Sequence, residues 1–305
     1  MIERFHPWSI ALYRLTDSNA HMFLDDVDSE GALNSNGVFG PLFQNKTVAN
    51  LGLSESLFAE RYTHIMDGEI HGEKKIPVGC VLKPASGWQG DGVEFHFGGI
   101  DAAEMQRLAG TGDEFLIEQI LPPHVYSMQV WPYSFNTLRF LTFYDEGKAR
   151  IAAVVHKWGT KASGELDNFS KGGLTTFVSG GTMGYTFEDF SPMSMRWGLD
   201  GKRRGSDRFP MYDHAYRFER HPESDNQIFG KRIPFWDEAQ HMVLDSAKRL
   251  YDGGFLRYLG LDVMITPTGP KIIEINPDPG VHLIQIHKPL LINPEFKRFV
   301  DRWTH

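Results

Sequence analysis

Two apolar segments near the C-terminus, separated by a short turn, constrain the fold of this 305-residue chain most. Residues 260–266 and 270–276 are rich in aliphatic and β-branched side chains, which is typical of β-strands. Between them, Pro267-Thr268-Gly269 supplies a glycine for the left-handed position of a tight turn. The pattern predicts an antiparallel hairpin whose strands are largely buried.

The predicted hairpin carries carboxylate and amide side chains within its apolar strands. A turn centred on Thr268 pairs Met264 with Ile272 and Asp262 with Glu274, and it places Asn276 on the same face as Asp262 and Glu274. Facing carboxylates repel each other unless a cation lies between them, and Mg²⁺ takes oxygen ligands while keeping sites for substrate phosphates. The hairpin therefore predicts a Mg²⁺–phosphate site; the alternative is a solvent-facing strand pair with ordinary surface acids.

The remaining strands and helices are segregated along the chain instead of alternating strictly. Strands are predicted at 76–83, 93–97, 115–121, 136–143 and 149–157, and helices at 101–110, 236–251 and 294–303. Residues 46–75 are interpreted as helix-rich, and residues 192–232 as polar and irregular. This segregation favours an α+β fold with antiparallel sheets.

A lysine at the end of an apolar strand precedes a glycine-rich turn. Lys83 ends the predicted strand 76–83, and the turn that follows contains Gly87, Gly90 and Gly92. Glycines allow backbone N–H groups to approach phosphate oxygens, and a lysine at a strand end supplies a positive charge for the same phosphates. The segment lacks the P-loop and dinucleotide-binding signatures, so a phosphate-binding turn and a flexible hairpin turn both remain open.

Two further charged residues occur in apolar strands. Arg139 lies within Leu138-Arg139-Phe140-Leu141, and a buried arginine needs an anionic partner, either a carboxylate or a bound phosphate. Glu118 lies where a strand ends and the chain changes direction, a place that can offer backbone groups to an adenine edge. An ordinary acid at a strand end is the alternative for Glu118.

The overall composition argues against several functional classes. The formal net charge of −8 does not suit a general nucleic-acid binder, and the basic run at 202–204 is interpreted as a solvated loop. The single cysteine, Cys80, lies in an apolar run and is interpreted as a small buried side chain. No apolar run approaches the ~20 residues that span a bilayer, so we expect no membrane span and a cytoplasmic protein.

Taken in order, a set of short motifs resembles the ATP-grasp superfamily. More narrowly, residues 45 to 285 resemble the sugar-transfer-associated ATP-grasp family, which is related to α-L-glutamate ligases. The matching segments are Asn45-Lys46, Lys83 with its glycine turn, Phe115-Leu116-Ile117-Glu118, Asn136-Thr137-Leu138-Arg139, Asp167-Asn168-Phe169-Ser170-Lys171-Gly172-Gly173, His221-Pro222-Glu223-Ser224, Gly230-Lys231-Arg232-Ile233-Pro234, Gly260-Leu261-Asp262-Val263 and Glu274-Ile275-Asn276-Pro277.

The resemblance implies two α+β subdomains that clasp ATP, with roles for individual residues. It implies ATP contacts from Lys46, Lys83, Gly90, Gly92, Glu118, Gln119 and Ile120, Mg²⁺ ligands at Asp262, Glu274 and Asn276, and catalytic roles for Arg139, Lys157 and Asn168. Arg139 would steady the transferred phosphate. This sequence departs from the family pattern at His156-Lys157, where an arginine is expected, because a lysine cannot form a bidentate fork.

The implied organisation is an N-terminal appendage at 1–45, a lid subdomain at 46–121, and a C-terminal subdomain with the metal site at 122–305. The implied reaction is an ATP- and Mg²⁺-dependent ligation of a small-molecule carboxylate to an amine through an acyl phosphate. A kinase-like phosphotransferase and a non-catalytic ATP-binding module are the alternatives. The sequence predicts neither the substrates nor the oligomeric state.

Overall fold

The computed structural model describes residues 2–5, 9, 13–87, 90–188 and 217–304. Its core consists of two antiparallel sheets with helices packed on them, which confirms the predicted α+β class. The basic run at 202–204 and the middle of the glycine turn, residues 88–89, lie outside the described residues.

The N-terminal sheet has five strands in the order β2-β1-β5-β3-β4. The strands are β1 Arg61–Met66, β2 Glu69–Gly72, β3 Cys80–Pro84, β4 Glu94–His96 and β5 Phe115–Gln119. The helix-rich interpretation of 46–75 was therefore wrong for its second half, which forms the β1–β2 hairpin. Asp67 and Gly68 both have positive φ, 54° and 78°, and such a two-residue turn matches the twist of an antiparallel pair.

One face of this sheet is covered by a helix. Helix 102–109, whose first turn is capped by Asp101, packs Met105 and Leu108 against Leu82 and Ile117. Cys80 is buried in the same cluster, as the sequence predicted. Because side chains alternate along a strand, Lys83 and Glu118 project from the opposite face.

The C-terminal sheet has seven strands in the order β10-β9-β8-β7-β6-β11-β12. The strands are β6 Leu138–Asp145, β7 Lys148–Trp158, β8 Leu174–Ser179, β9 Thr182–Glu188, β10 Arg217–Phe218, β11 Tyr258–Thr266 and β12 Gly269–Asn276. The α-helices of the described chain are α1 Asp26–Asn34, α2 Phe39–Leu42, α3 Lys46–Leu51, α4 Ala102–Ala109, α5 Val125–Met128, α6 Trp236–Asp252, α7 His282–Gln285 and α8 Pro294–Thr304.

Helices cover both faces of the C-terminal sheet. Helix α6 packs Ala239, Val243 and Leu250 on one face, within the largest apolar cluster. On the other face α8 packs Phe296 and Phe299, and α1 lies against α8. The N-terminal segment is thereby tied to the C-terminal sheet, and α3 also contacts β12. The division into 1–45, 46–121 and 122–305 stays a prediction.

The hairpin of β11 and β12 forms with one change of register. Its turn contains two residues, since Thr266 pairs with Gly269, so Met264 faces Lys271 and the predicted pairing of Met264 with Ile272 was wrong. A bulge between Asp262 and Val263 then shifts the register by one residue. Asp262 consequently pairs with Glu274, as predicted.

Candidate functional site

Asp262 is buried beside an arginine on the neighbouring strand. It pairs across the sheet with Arg139 of β6, whose Nε donates to Asp262 Oδ1 and whose Nη2 donates to Oδ2 at 3.0 Å. Burial raises the pKa of Asp262, but the charges of Arg139 and Lys157 outweigh this effect and hold it at about 2. The guanidinium that was predicted to steady a phosphate therefore has a carboxylate partner in the sheet.

Lys157 links the hairpin to the loop that contains Asp167. Its Nζ lies 3.1 Å from Asp262 Oδ2 and 3.1 Å from Asp167 Oδ1. Asp167 Oδ2 in turn accepts hydrogen bonds from the backbone N–H and the hydroxyl of Thr137, at 2.7 and 2.6 Å. Burial lowers the pKa of Lys157, yet the two carboxylates raise it above its ordinary value, so the side chain is charged.

Glu274 is more accessible than Asp262, with its side chain about 33% exposed. Its Oε1 lies 3.6 Å from Lys46 Nζ, which also donates to the Gly87 carbonyl at 3.4 Å. Lys46 begins helix α3, which Asn45 caps through hydrogen bonds from two backbone N–H groups. Lys46 thus stands between the glycine turn and the hairpin, the position expected for a side chain that contacts phosphates.

The contacts of Asp262 leave few of its oxygen lone pairs free for a divalent cation. A carboxylate offers about four lone-pair positions, and Asp262 accepts three hydrogen bonds, from two Arg139 groups and from Lys157. Among the described residues, no partner is found for the buried Asn276 Nδ2. The described chain has no group of three His, Cys, Asp or Glu side chains able to hold a metal, so Asp262, Glu274 and Asn276 stay predicted Mg²⁺ ligands.

Lys83 and Glu118 form an ion pair on the sheet face opposite helix α4. Lys83 Nζ donates to Glu118 Oε2 at 2.7 Å, and Arg61 lies 4.0 Å from the other carboxylate oxygen. Gln119 continues the ladder opposite Cys80, whereas Ile120 follows the strand and borders a cavity. The contacts of these residues with adenine stay a prediction.

The glycine turn closely approaches the loop that carries Asn168. Gly90 has φ of 69°, and a Cβ placed on it would lie 2.6 Å from Leu166 Cδ1 and 2.8 Å from Asn168 Nδ2. Gly92 has φ of 74° and packs similarly against Pro84. Lys171 donates to Asp91 at 2.6 Å. Two candidate regions that lie about 80 residues apart in sequence are therefore neighbours in the fold.

Sequence reasoning assigned no separate role to several residues that the structure places at this site. Asp167 and Thr137 were recognised as parts of motifs, but their mutual hydrogen bonds were not foreseen. His282 was not singled out; burial and the charge of Arg139 lower its pKa to about 4. The available sequence signal for Asp167 was an acidic residue that begins a polar, glycine-rich segment.

A family comparison identifies the segment that contains this hairpin. Residues 200–299 match the family model described as sugar-transfer associated ATP-grasp. The predicted resemblance to this family is thereby supported over that segment of the chain. The matched segment includes α6, the β11–β12 hairpin and α7.

Comparisons with whole proteins give distant similarities. D-Alanyl-alanine synthetase A from Vibrio cholerae is 12% identical with a TM-score of 0.45, over 90% of this chain and 67% of that chain. A D-alanine–D-alanine ligase from Bacillus anthracis is 13% identical with a TM-score of 0.41, over 88% of this chain and 72% of that chain. An L-amino acid ligase from Bacillus licheniformis is 10% identical with a TM-score of 0.39, over 84% of this chain and 43% of that chain. These similarities are too weak to carry an argument about substrate.

Two further comparisons give negative results. No curated protein matches the sequence. Within the ranges that the structure describes, every helix is too short or too polar to cross a membrane. The cytoplasmic location stays a prediction.

Proposed function

We propose that the chain is a ligase that joins a small-molecule carboxylate to an amine at the expense of ATP. The observation that carries this proposal is the hairpin, where Glu274 and Asn276 lie beside the buried pair of Asp262 and Arg139. Lys46 connects this group to the glycine turn. Carboxylate and amide oxygens thus lie near basic side chains, which supports a site for a metal ion and phosphates.

The charges around the hairpin indicate why a divalent cation is needed. Three basic side chains, Arg139, Lys157 and Lys46, pair with three acidic ones, Asp262, Asp167 and Glu274. This group has no surplus positive charge, so a triphosphate would meet little net attraction. Mg²⁺ held by Asp262, Glu274 and Asn276 would supply that charge and polarise the phosphoryl oxygens.

The proposed reaction proceeds in two steps. A carboxylate oxygen of the acid attacks the γ-phosphorus of ATP, the bond to the bridging oxygen breaks, and ADP leaves with an acyl phosphate formed. The amine nitrogen then attacks the acyl carbon, the carbon–oxygen bond breaks, and inorganic phosphate leaves as the amine loses a proton. Phosphorylation is needed because a carboxylate oxygen is otherwise a poor leaving group.

The chain's own side chains bind and orient the reactants in this scheme. Lys46 and Lys83 contact phosphate oxygens, which requires Lys83 to share or release its partner Glu118. Arg139 is held by two hydrogen bonds to Asp262, which supports a role in which its remaining N–H groups donate to the transferred phosphate. Asn168 and the loop around it are placed next to the glycine turn.

The function is tested by measuring ADP release against a panel of candidate acids and amines, with mass spectrometry of the product. We expect ADP release that depends on Mg²⁺ and on both substrates, with a product lighter by one water than the sum of acid and amine. Glu274→Gln should lower turnover at least 100-fold, as removal of a charged group at a transition state does. The surface variant Glu69→Gln, whose side chain is about 76% exposed, is the matched control.

The same assay separates the alternatives. A phosphorylated acceptor that forms without an amine would favour a phosphotransferase. Nucleotide binding without turnover for any pair in the panel would favour a binding module. Full activity in Glu274→Gln would remove the hairpin from the mechanism.

A further inference from the structure

Glu114, which directly precedes β5, is not among the residues predicted to contact ATP or Mg²⁺, yet its side chain is densely bonded. Asn45 Nδ2 donates to its Oε2 at 2.8 Å, Thr47 Oγ1 donates to its Oε1 at 2.9 Å, and His64 Nε2 lies 2.7 Å from Oε1. These contacts take most of the roughly four acceptor positions of a carboxylate. Glu114 therefore joins β1, β5 and the start of helix α3.

The carboxylate of Glu114 is ionised in this setting. Burial raises the pKa of Glu114, but hydrogen bonds from Asn45, His64 and Thr47 outweigh that effect and hold the pKa below its ordinary value. An ionised carboxylate only accepts hydrogen bonds, so His64 Nε2 must be the donor in its contact. Hydrogen bonds to a charged acceptor are stronger than those between neutral groups.

The main chain beside Glu114 reinforces this connection. The Ala85 N–H donates to the Glu114 carbonyl at 2.9 Å, and the Lys46 N–H donates to the Ala85 carbonyl at 2.8 Å. Ala85 directly follows β3 and precedes Gly87 of the glycine turn. A continuous series of hydrogen bonds therefore runs from the start of β5, through the residue that leads into the glycine turn, to the first residue of helix α3.

Lys46 is the residue that these contacts hold in place. Asn45 Oδ1 caps helix α3 by accepting from two backbone N–H groups, so the same side chain caps the helix and binds Glu114. Lys46 lies between Asn45 and Thr47, and both neighbours are bound to one carboxylate. Helix α3 also contacts β12, where Lys46 Nζ lies 3.6 Å from Glu274 Oε1. The start of the helix is thus fixed to the N-terminal sheet while the helix contacts the C-terminal sheet.

We propose that Glu114 is a positioning residue for ATP, which fixes the start of helix α3 and thereby holds Lys46 where the triphosphate binds. A lysine carries its charge on a flexible four-carbon stem, so the region that the charge can reach depends on where its main chain is held. Binding costs less when such a group is already in place. Glu114 itself is an anion and would repel a phosphate, so its effect on ATP is exerted through Lys46.

The proposal rests on the proposed function in one respect, which is that Lys46 contacts the phosphates of ATP. Binding measured without acid or amine tests it. Calorimetry with Mg²⁺ and ATP, and saturation-transfer NMR with adenosine, compare the parent with Glu114→Gln. Glutamine keeps the size of the side chain but replaces one acceptor oxygen by an NH₂ group and removes the charge.

Glu114→Gln should weaken the affinity for ATP about fivefold and leave the affinity for adenosine unchanged, because adenosine has no phosphate for Lys46 to contact. The loss should be smaller than the about tenfold loss expected for Lys46→Met, the effect of one hydrogen bond from a charged donor. A defect in overall folding would instead weaken the binding of both ligands. Urea denaturation of each variant measures any such defect directly.

Three further variants connect the effect to Lys46. Adding Glu114→Gln to Lys46→Met should weaken ATP binding no further, since the charge that Glu114 positions is already absent. Thr47→Val removes one of the three donors at similar volume and should weaken ATP binding about twofold. Glu104→Gln, whose carboxylate accepts from Arg107 on helix α4, is the control and should bind ATP like the parent.

Four results would overturn the proposal: no ATP binding by the parent, unchanged ATP affinity in Glu114→Gln, an equal loss of ATP and adenosine affinity, or a further fivefold loss in the Lys46→Met background. Absence of amine-dependent ligation, together with a loss of ATP affinity that spares adenosine, would contradict the proposed function and leave the role of Glu114 standing. Amine-dependent ligation by the parent, together with unchanged ATP affinity in Glu114→Gln, would do the reverse.

Discussion

Replacing Lys157 by methionine should destabilise the protein strongly, because it breaks a buried ion-pair group without removing the anions. Lys157 lies 3.1 Å from oxygens of both Asp167 and Asp262, and all three residues are less than 10% exposed. Removing one partner of a buried pair costs about 3–5 kcal/mol. We expect a loss of that size in the free energy of unfolding at pH 7, measured by urea denaturation.

The pH dependence of this loss makes the reasoning specific. In the parent protein the pKa of Asp262 is held at about 2, below the ordinary value of 3.8. This difference corresponds to roughly 2 kcal/mol of stability. That stability is fully present above pH 4 and is lost as the pH falls through about 2. In Lys157→Met the pKa of Asp262 rises because one of the charges that lower it is removed, so protonation at pH 4 should relieve part of the loss.

The comparison therefore has two arms. The stability difference between parent and Lys157→Met should shrink by about 1–2 kcal/mol between pH 7 and pH 4, and adding Asp167→Asn should restore part of it at pH 7. Lys297→Met, which removes an exposed helical pair with Asp301, should cost less than about 0.5 kcal/mol at either pH. A loss in Lys157→Met as small as this control's would refute the account of the buried group.

Three further variants test the approach of the glycine turn, the phosphate contact and the packing of Arg139. Gly90→Ala should lower stability and turnover more than Gly112→Ala. Both glycines have positive φ, but only a Cβ at position 90 would clash, with Leu166 and Asn168. Thermal unfolding and ADP release measure the two effects. Lys46→Met should raise the KM for ATP about tenfold in steady-state kinetics while leaving stability within about 1 kcal/mol of the parent. Gly260→Ala would place a Cβ 3.0 Å from Arg139 Cδ and 2.9 Å from Pro279, so turnover should fall while Gly112→Ala keeps full turnover.

The parts of the fold that depend on local pattern were predictable from sequence, and the parts that depend on distant pairing were not. Helix 236–252 and the final helix follow from their apolar spacing. The hairpin of β1 and β2 was missed because Asp67-Gly68 was not recognised as a tight turn. The pairing of Asp262 with Glu274 was predicted from a three-residue turn, whereas the structure reaches it through a two-residue turn and a bulge.

The candidate site shows the same division. Charged residues within apolar strands, such as Arg139, could be recognised as needing anionic partners. The identity of that partner could not be predicted, because Asp262 lies 123 residues away in sequence. The two residues meet only through the order of β6, β7 and β11 in the sheet. The role of Lys157 as a bridge between two carboxylates depends equally on that strand order.

The structure makes the predicted metal ligands unequal, and this has an experimental consequence. Asp262 is buried with Arg139 and Lys157, so Asp262→Asn leaves two buried cations short of a counterion and should cost about 3–5 kcal/mol. Glu274 is 33% exposed and lies 3.6 Å from Lys46, so Glu274→Gln should cost less than about 1 kcal/mol.

Lost activity in Asp262→Asn alone would therefore not distinguish a missing ligand from a damaged sheet, whereas Glu274→Gln separates the two. We expect Glu274→Gln to unfold at nearly the parent urea concentration while Mn²⁺ binding in the presence of ADP, followed by electron paramagnetic resonance, weakens at least tenfold. Metal binding equal to that of Glu69→Gln would show that Glu274 is not a ligand, even if turnover falls.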